Sequence, residues 1–354
     1  MKKKNTIIEF FSSREGILAI FVAICFILLC IGTNMLGTIF VFMRDLSYLI
    51  VGGLALMMVI LLGEIDISSG TVLGFIGFCS FTLVQMGVPL IVCILAGIVV
   101  GMLNSLIVGF ITVRFRVPSM IVGLAMIKLH IGLFSMLPNA GYVSNIDPKI
   151  TAVGTATIPG TNIPVMLIIA LALLVFFCWF MKYTRFGRCV YAIGGSRDSA
   201  ILAGIKADKV TIQSFLISGA LLGVTAIMYW LPKTQVQPSS CAGMEMYFLP
   251  IAVVGGINIM GGSGRPIGIL IASILITMLQ RAAYLLGLGT QWMYLSYGVI
   301  VLVAVYSMFI TITPKLSEEV DVGELQTQVA DLEKRVAALE SKKTDLKKSD
   351  GGDR

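Results

Sequence analysis

Two carboxylates stand in a run that otherwise reads as lipid-soluble. In "VILLGEIDISSGTVLGF", residues 59–75, Glu64 and Asp66 lie two apart among aliphatic side chains. A charge at the centre of a bilayer costs roughly 2.5 to 3.5 kcal/mol on insertion scales, so such a residue marks a pathway, an ion relay or a structural clamp. Lys128 and His130 interrupt a second apolar run, Glu245 precedes a third, and Arg281 ends a fourth. Two residues apart, Lys128 and His130 point to different helix faces, so one can line a cavity while the other reaches the membrane surface. The chain's single histidine has no partner at metal-ligand spacing and reads first as a structural residue. Glu245 and Arg281 are expected near external ends, solvated or paired. "GGINIMGGSGRPIG", residues 255–268, looks like a phosphate loop but lacks G-x-x-x-x-G-K-[ST], and no Walker A pattern occurs elsewhere. Its glycines are read as close packing.

Composition says what must hold these side chains. With 57% hydrophobic and 13% charged residues, the chain falls well below the ~25% charge of a soluble domain. The fold class is all-α, a polytopic membrane helix bundle. About 20 apolar residues at 1.5 Å each cross roughly 30 Å of hydrocarbon, which predicts about ten transmembrane helices here. They fall at 16–35, 46–62, 71–86, 88–111, 119–137, 163–181, 211–231, 247–260, 267–286 and 293–312. The second, third and eighth are short and flanked by Gly and Ser, as tilted, broken or re-entrant helices are.

Basic residues fall unevenly on alternate sides. Lys2, Lys3, Lys4, Arg14, Arg114, Arg116, Lys182, Arg185, Arg188, Arg197, Lys206, Lys209 and Arg265 share one side, against Arg44, Lys149, Lys233 and Arg281 on the other. The positive-inside rule puts the first side and both termini in the cytoplasm. The net charge of +7 is therefore a topology signal and an attraction to anionic lipid, with no nucleic-acid partner implied. The basic start "MKKKNT" precedes a long apolar stretch without a small-x-small cleavage site, which points to a retained first helix. Cys25, Cys30, Cys79, Cys93 and Cys178 lie in apolar spans with no CxxC pair and read as small packing residues.

Three hydrophilic segments interrupt the pattern. Residues 138–162 are expected as a folded loop or short helix over the external mouth. The tail divides the chain into a membrane domain, 1–314, and a charged cytoplasmic segment, 315–354. Val322, Val329 and Val336 alternate there with Leu325, Leu332, Leu339 and Leu346, the β-branched-a and Leu-d spacing of a parallel coiled coil over 322–346. A single charged helix is the alternative. The third segment, "YAIGGSRDSAILAGIKADKV" (191–210), is the most informative. Gly194 and Gly195 end one element; Ser196 and Asp198 cap and charge the first turn of a short helix over 199–203; Gly204 stops it. Ala200 and Ala203 give that helix a small-residue face over which a partner's cleft can close. The plain alternative is a basic loop that holds topology.

Four stretches, "GEIDISSGTVLGF", "GMLNSLIVGFITVRFRVPSMIVGL", "FGRCVYAIGGSRDSAILAGI" and "PIAVVGGINIMGGSGRPIGILIASILI", occur in the order and spacing of one family. The chain resembles the permease subunits of bacterial ABC monosaccharide importers, the ribose, xylose, arabinose and galactose group, over roughly residues 10–314. Some positions depart from the pattern: Glu64 replaces a common Gly, as in xylose-type permeases, Gly123 stands where Thr is common, and Leu129–His130 replace an aromatic-Arg pair. The resemblance implies a non-catalytic plasma (inner) membrane subunit that imports a sugar by alternating access. It implies three partners: a cytoplasmic ATP-binding cassette subunit that uses ATP and Mg, an extracytoplasmic sugar-binding protein, and a second permease in a homodimer or heterodimer. No cofactor is expected on this chain. Gly195, Ser196, Asp198, Ala200, Ala203 and Gly204 are the expected ATPase-docking residues; Glu64, Asp66, Ser68, Gly70, Asn104 and Glu245 are the translocation or gate candidates. In the family the 64–70 turn joins the second span to the third on the cytoplasmic side, with Asp66, Ser68 and Ser69 capping the third helix. Glu64 is left to pair with Arg114 or Arg116 or to face the inner gate. An ion-coupled transporter, or a permease for nucleosides, polyols or a sugar-derived signal, remains the alternative.

Overall fold

The computed structural model describes residues 36–137, 141–144 and 147–287, and of the following stretch residues 289, 291, 292, 295, 296, 298, 299 and 302. The chain divides into two compact units, Met1–Val301 and Leu302–Arg354. Only Leu302 of the second unit is described, so the expected spans 16–35 and most of 293–312 and the heptads of 322–346 lie outside the described residues.

The first unit is helical throughout its regular structure. After a 3₁₀ turn at Leu36–Thr38 come α1 (Ile39–Ile60), α2 (Ser69–Gln85), α3 (Leu90–Phe115) and α4 (Ser119–Met136). The short α5 (Pro148–Gly154), α6 (Val165–Tyr183), α7 (Arg185–Gly195), α8 (Arg197–Leu202) and α9 (Ala207–Trp230) follow, then α10 (Glu245–Val254) and α11 (Pro266–Leu285). Six of these, α1, α3, α4, α6, α9 and α11, are long and apolar enough to cross a membrane; α2, at 17 residues, is shorter.

A helix apolar on every face either meets lipid or is enclosed by other helices, and α1 is largely enclosed. Leu49, Ile50, Val51, Leu54 and Met57 through Ile60 are fully buried, with α6, α9, α10 and α11 packed around them. By contrast, α3, α4 and α6 are buried over about a third of their length, and side chains such as Leu95, Leu103, Leu124 and Val175 face outward. The tightest pairing is α3 on α9. Gly97 and Gly101 on one helix meet Gly219 and Gly223 on the other, where a Cβ on Gly219 would sit 2.8 Å from the Met102 Cα. Small residues four apart on both partners let the backbones touch.

The membrane path breaks after α9. Residues 232–244 run along α2 without α-helix, with one 3₁₀ turn at Pro238–Cys241: Val236 bridges to Val143, Pro238 lies against Gly74, and the Trp230 indole donates to the Leu73 carbonyl at 2.9 Å. The expected eighth span is thus a half-helix. At 10 residues, α10 covers about 15 Å and begins deep in the bundle, with Pro250 inside it. Backbone of this kind is tolerated at membrane depth where protein surrounds it.

Candidate functional site

All six gate candidates lie along or against the stretch between the end of α1 and the first turn of α2. Gly63 takes a positive φ of 78° and turns the chain out of α1. The Ser119 backbone N–H, at the start of α4, then donates to Glu64 Oε2 at 3.2 Å. Pro118 before it offers that helix no side-chain cap, so Glu64 supplies acceptor and negative charge where first-turn N–H groups are free. The Ser119 hydroxyl accepts from the Ile65 N–H at 2.9 Å and donates to the Ile65 carbonyl at 3.1 Å. Glu64 thus serves as a helix cap; of the two arginines expected as partners, Arg114 or Arg116, Arg116 pairs with Asp208 at 3.8 Å.

Asp66 is 1% exposed. Its Oδ1 accepts from the Ser68 N–H at 2.9 Å and from the Ser68 hydroxyl at 2.6 Å, while Oδ2 has no hydrogen-bond partner among the described residues. The carboxylate thus fixes the turn ahead of α2; the sequence predicts a cap on the first turn of that helix, which the structure corrects, since both bonds go to Ser68, before the helix begins. Burial pushes its carboxyl above the usual carboxylate range, against the lowering effect of the two Ser68 bonds. A Cβ on Gly123 would stand 3.0 Å from the Ile67 nitrogen and 3.4 Å from Asp66 Oδ1, which accounts for a glycine there.

The turn extends into a buried polar chain. Asn104 Nδ2 stands 3.5 Å from the Ser68 hydroxyl oxygen. The Thr71 hydroxyl donates to the Ser68 carbonyl at 3.2 Å and lies 3.0 Å from His130 Nδ1; with its one proton so used, Nδ1–H is the donor. His130 is buried and stacked on Phe75 and Phe134, whereas Lys128 is exposed. Glu245, expected near an external end, instead packs its carboxylate against Gly70, where no side chain fits. Its Oε2, like Asn104 Oδ1, is buried without a partner among the described residues.

A second site lies on the polar segment between α7 and α9. The Ser199 N–H donates to the Ser196 hydroxyl at 3.3 Å, Asp198 occupies the first turn of α8, and Gly204, at φ 84°, closes the helix. The Gly204 N–H reaches the Ile201 carbonyl at 2.9 Å and the Ile205 N–H reaches that of Ala200 at 3.0 Å, the paired bonds of a glycine-terminated helix end. Ala200 is buried on the inner side of this helix and so does not share an outward small-residue face with Ala203, contrary to the sequence reading; Gly195 and Ala203 are exposed, and Leu202 is 89% exposed. Sequence reading found the cap and the stop but missed the tether: Arg197 Nη2 donates to Asp208 Oδ1 at 2.6 Å. Asp208 thereby bridges α8 to Arg116 at the end of α3. A cleft of about 340 Å³ between Glu64, Arg116 and Arg197 joins the two sites. Nothing in the spacing of these residues signals the bridge.

The same end of the bundle is stitched by backbone. The Gly262 N–H donates to the Leu61 carbonyl at 2.9 Å, and Gly194 packs against both with no room for a side chain. At the other end Arg281 pairs with Asp45. Lys233 lies 3.1 Å from the centroid of the Tyr229 ring, its ammonium pushed down to about 8 by burial. Among the described residues no three His, Cys, Asp or Glu side chains group as metal ligands do.

Spanning helices around a broken one, with a buried polar turn beside an exposed docking-sized helix, define a multi-pass membrane transport component. Residues 38–305 match the family described as "Branched-chain amino acid transport system / permease component", and the chain belongs to that family. Among its relatives is the L-arabinose ABC transporter permease protein AraH of Azospirillum brasilense, 29% identical over 73% of this chain and 77% of the relative. The ribose import permease protein RbsC of Haemophilus influenzae is 28% identical over 70% and 77%. The fructose import permease protein FruG of Bifidobacterium longum is 29% identical over 76% and 82%. No solved structure matches the chain.

Proposed function

We propose that the chain is the transmembrane subunit of an ATP-driven ABC importer that moves a monosaccharide or a close relative of one inward by alternating access. The observation that carries the reading is α8: an apolar side chain, Leu202, stands out at 89% exposure on a helix tethered through Asp208 to α3 and α9. Ile201 beside it is also exposed, so two adjacent apolar side chains on a short polar-loop helix offer a partner's cleft a surface to cover, and the tether leads from that helix toward the end of α3. The names of AraH, RbsC and FruG supply the solute class. Hydroxyl and amide groups near the turn, Ser68, Ser69 and Asn104, suit a neutral polyhydroxylated ligand, which needs no paired charge.

In this reading a cytoplasmic ATP-binding cassette subunit, holding ATP and Mg, docks on Gly195 to Gly204, and an extracytoplasmic sugar-binding protein delivers substrate to the opposite end. Two permease chains, identical or related, enclose the path. Both termini lie on the α8 side of a bacterial inner membrane, with about ten spans in all. Reconstitution tests it: uptake should require both added partners, and Leu202→Asp should remove ATPase co-purification and uptake while the permease inserts normally. The buried, half-partnered Asp66 favours a second reading, an ion-coupled carrier. Uptake by the permease alone under a proton gradient would select that reading and overturn the first.

A further inference from the structure

Between the end of α6, α7 and the start of α11 lies a cleft of about 500 Å³ that the transport reading does not use. Its lining includes Cys178, Met181, Lys182, Tyr191, Arg265 and Ile267; two of its lining residues are cationic and none is acidic. The Tyr191 hydroxyl donates to the Gly264 carbonyl at 2.8 Å and so fixes the loop that carries Arg265. Arg265 immediately precedes α11, a helix of 20 residues whose first turn borders the cleft. The positive end of that helix dipole therefore adds to the two side-chain charges. Lys182 also ends a stripe on one face of α6, since Ile168, Val175 and Trp179 precede it at helical spacing and all are exposed. Across the cleft Ile267 is exposed on α11. Cationic groups therefore sit at the polar end of an apolar track, with a tryptophan at the boundary where amphipathic rings collect.

We propose that this cleft binds the headgroup of an anionic phospholipid, its phosphate between Lys182 and Arg265 and an acyl chain along the α6 stripe. A soluble anion would use the charges but not the stripe. A second copy of this chain would bring the same cations to the cleft and meet repulsion. Lys182 and Arg265 are two of the residues that the positive-inside rule puts on the cytoplasmic side, where anionic headgroups attract basic pockets.

The test is a native mass-spectrometric titration of the purified full-length chain with phosphatidylglycerol and phosphatidylcholine of equal acyl length. Two cations near a headgroup predict a preference of about 30-fold for phosphatidylglycerol. Lys182→Gln with Arg265→Gln should abolish the preference, Lys182→Arg should keep it, and Lys149→Gln, an exposed lysine elsewhere, should leave it intact. Equal binding of the two lipids by the unaltered chain overturns the proposal without recourse to any variant. So does a preference that survives the double substitution, or full displacement of the lipid by excess inorganic phosphate, which would mark a site for soluble anions.

Discussion

Replacing Asp208 with asparagine should uncouple the permease without unfolding it. The carboxylate holds Arg197 at 2.6 Å and Arg116 at 3.8 Å, and its side chain is 54% exposed. Ion pairs this wet are worth about 0.2 to 1 kcal/mol each, so losing both costs roughly 1 kcal/mol and is further screened by salt. That is too little to alter insertion or abundance of a bundle whose core surrounds α1. Under the importer reading the two bonds connect the docking helix to the ends of α3 and α9, so their loss should fall on coupling. In proteoliposomes with ATPase and binding protein, uptake per assembled complex should drop about fivefold, an equivalent of about 1 kcal/mol in the coupled step, while co-purification of the ATPase persists. Arg197→Gln should behave alike, and the double variant should be no worse than either single one, because groups acting as a unit are not additive. Uptake within twofold of the unaltered chain, or losses that add in the double variant, would refute the role of the bridge.

Asp66→Asn should raise thermal stability at neutral pH and flatten its pH dependence. Burial holds the Asp66 carboxyl above its ordinary 3.8, so the folded state binds the proton more tightly than the unfolded chain; stability is full below 3.8 and is lost as pH rises through the raised folded value. Asp66→Ala should instead lower the melting temperature at every pH, since the Ser68 N–H and hydroxyl lose their acceptor at about 1 to 3 kcal/mol; melts at pH 5 and pH 8 decide both. Gly194→Ala should destabilise or block assembly, because its Cβ would overlap the Leu61 carbonyl oxygen and the Gly262 nitrogen, backbone atoms that cannot rotate away; expression with detergent melting is the check. Deleting residues 317–354 should lower dimer stability or abundance but retain uptake per assembled complex, and crosslinking through a cysteine at position 332 tests the parallel coil expected there.

Local signals were legible and long-range ones were not. Ser196 before α8, Gly204 after it and Pro118 before α4 act within one turn, so their spacing alone places the ends of the elements. The start of α1 at Ile39, seven residues before the expected 46, has a distant cause. Arg44 and Asp45 read as the end of an apolar run, but Asp45 is paired by Arg281, 236 residues away, which lets a charged pair sit inside the helix. Glu245 was misplaced for a similar reason. Its depth depends on how residues 232–244 descend, and that path is set by Val143 and Gly74 rather than by its own sequence. The glycine seam of α3 and α9 was readable as paired four-residue spacings, 97 with 101 and 219 with 223, yet which helices would pair could not follow from spacing alone.

The distribution of satisfied and unsatisfied groups in this bundle bears on mechanism. An apolar side chain at 104 would avoid the cost of burying a polar atom without a partner, about 1 to 3 kcal/mol. Instead Asp66 Oδ2, Ser69 Oγ, Asn104 Oδ1 and Glu245 Oε2, on or beside the stretch 64–71, are left without hydrogen bonds among the described residues, as are eight further buried polar atoms elsewhere, among them hydroxyls of Ser80, Thr112, Ser214 and Ser273. Around them the structure is rigid: α1 is enclosed and α3 meets α9 backbone to backbone. Under the importer reading, enclosing walls around under-satisfied polar atoms suit a site whose partners arrive and leave, and the hydroxyl groups of a sugar would supply donors to those acceptors. The same turn is tied to α4 through Glu64 and shares the cleft of Arg116 and Arg197. Under the importer reading, a shift of α8 reaches this turn through Asp208, Arg116 and the bonds of Ser119 to Glu64 and Ile65, so that one short exposed helix would act on the gate candidates.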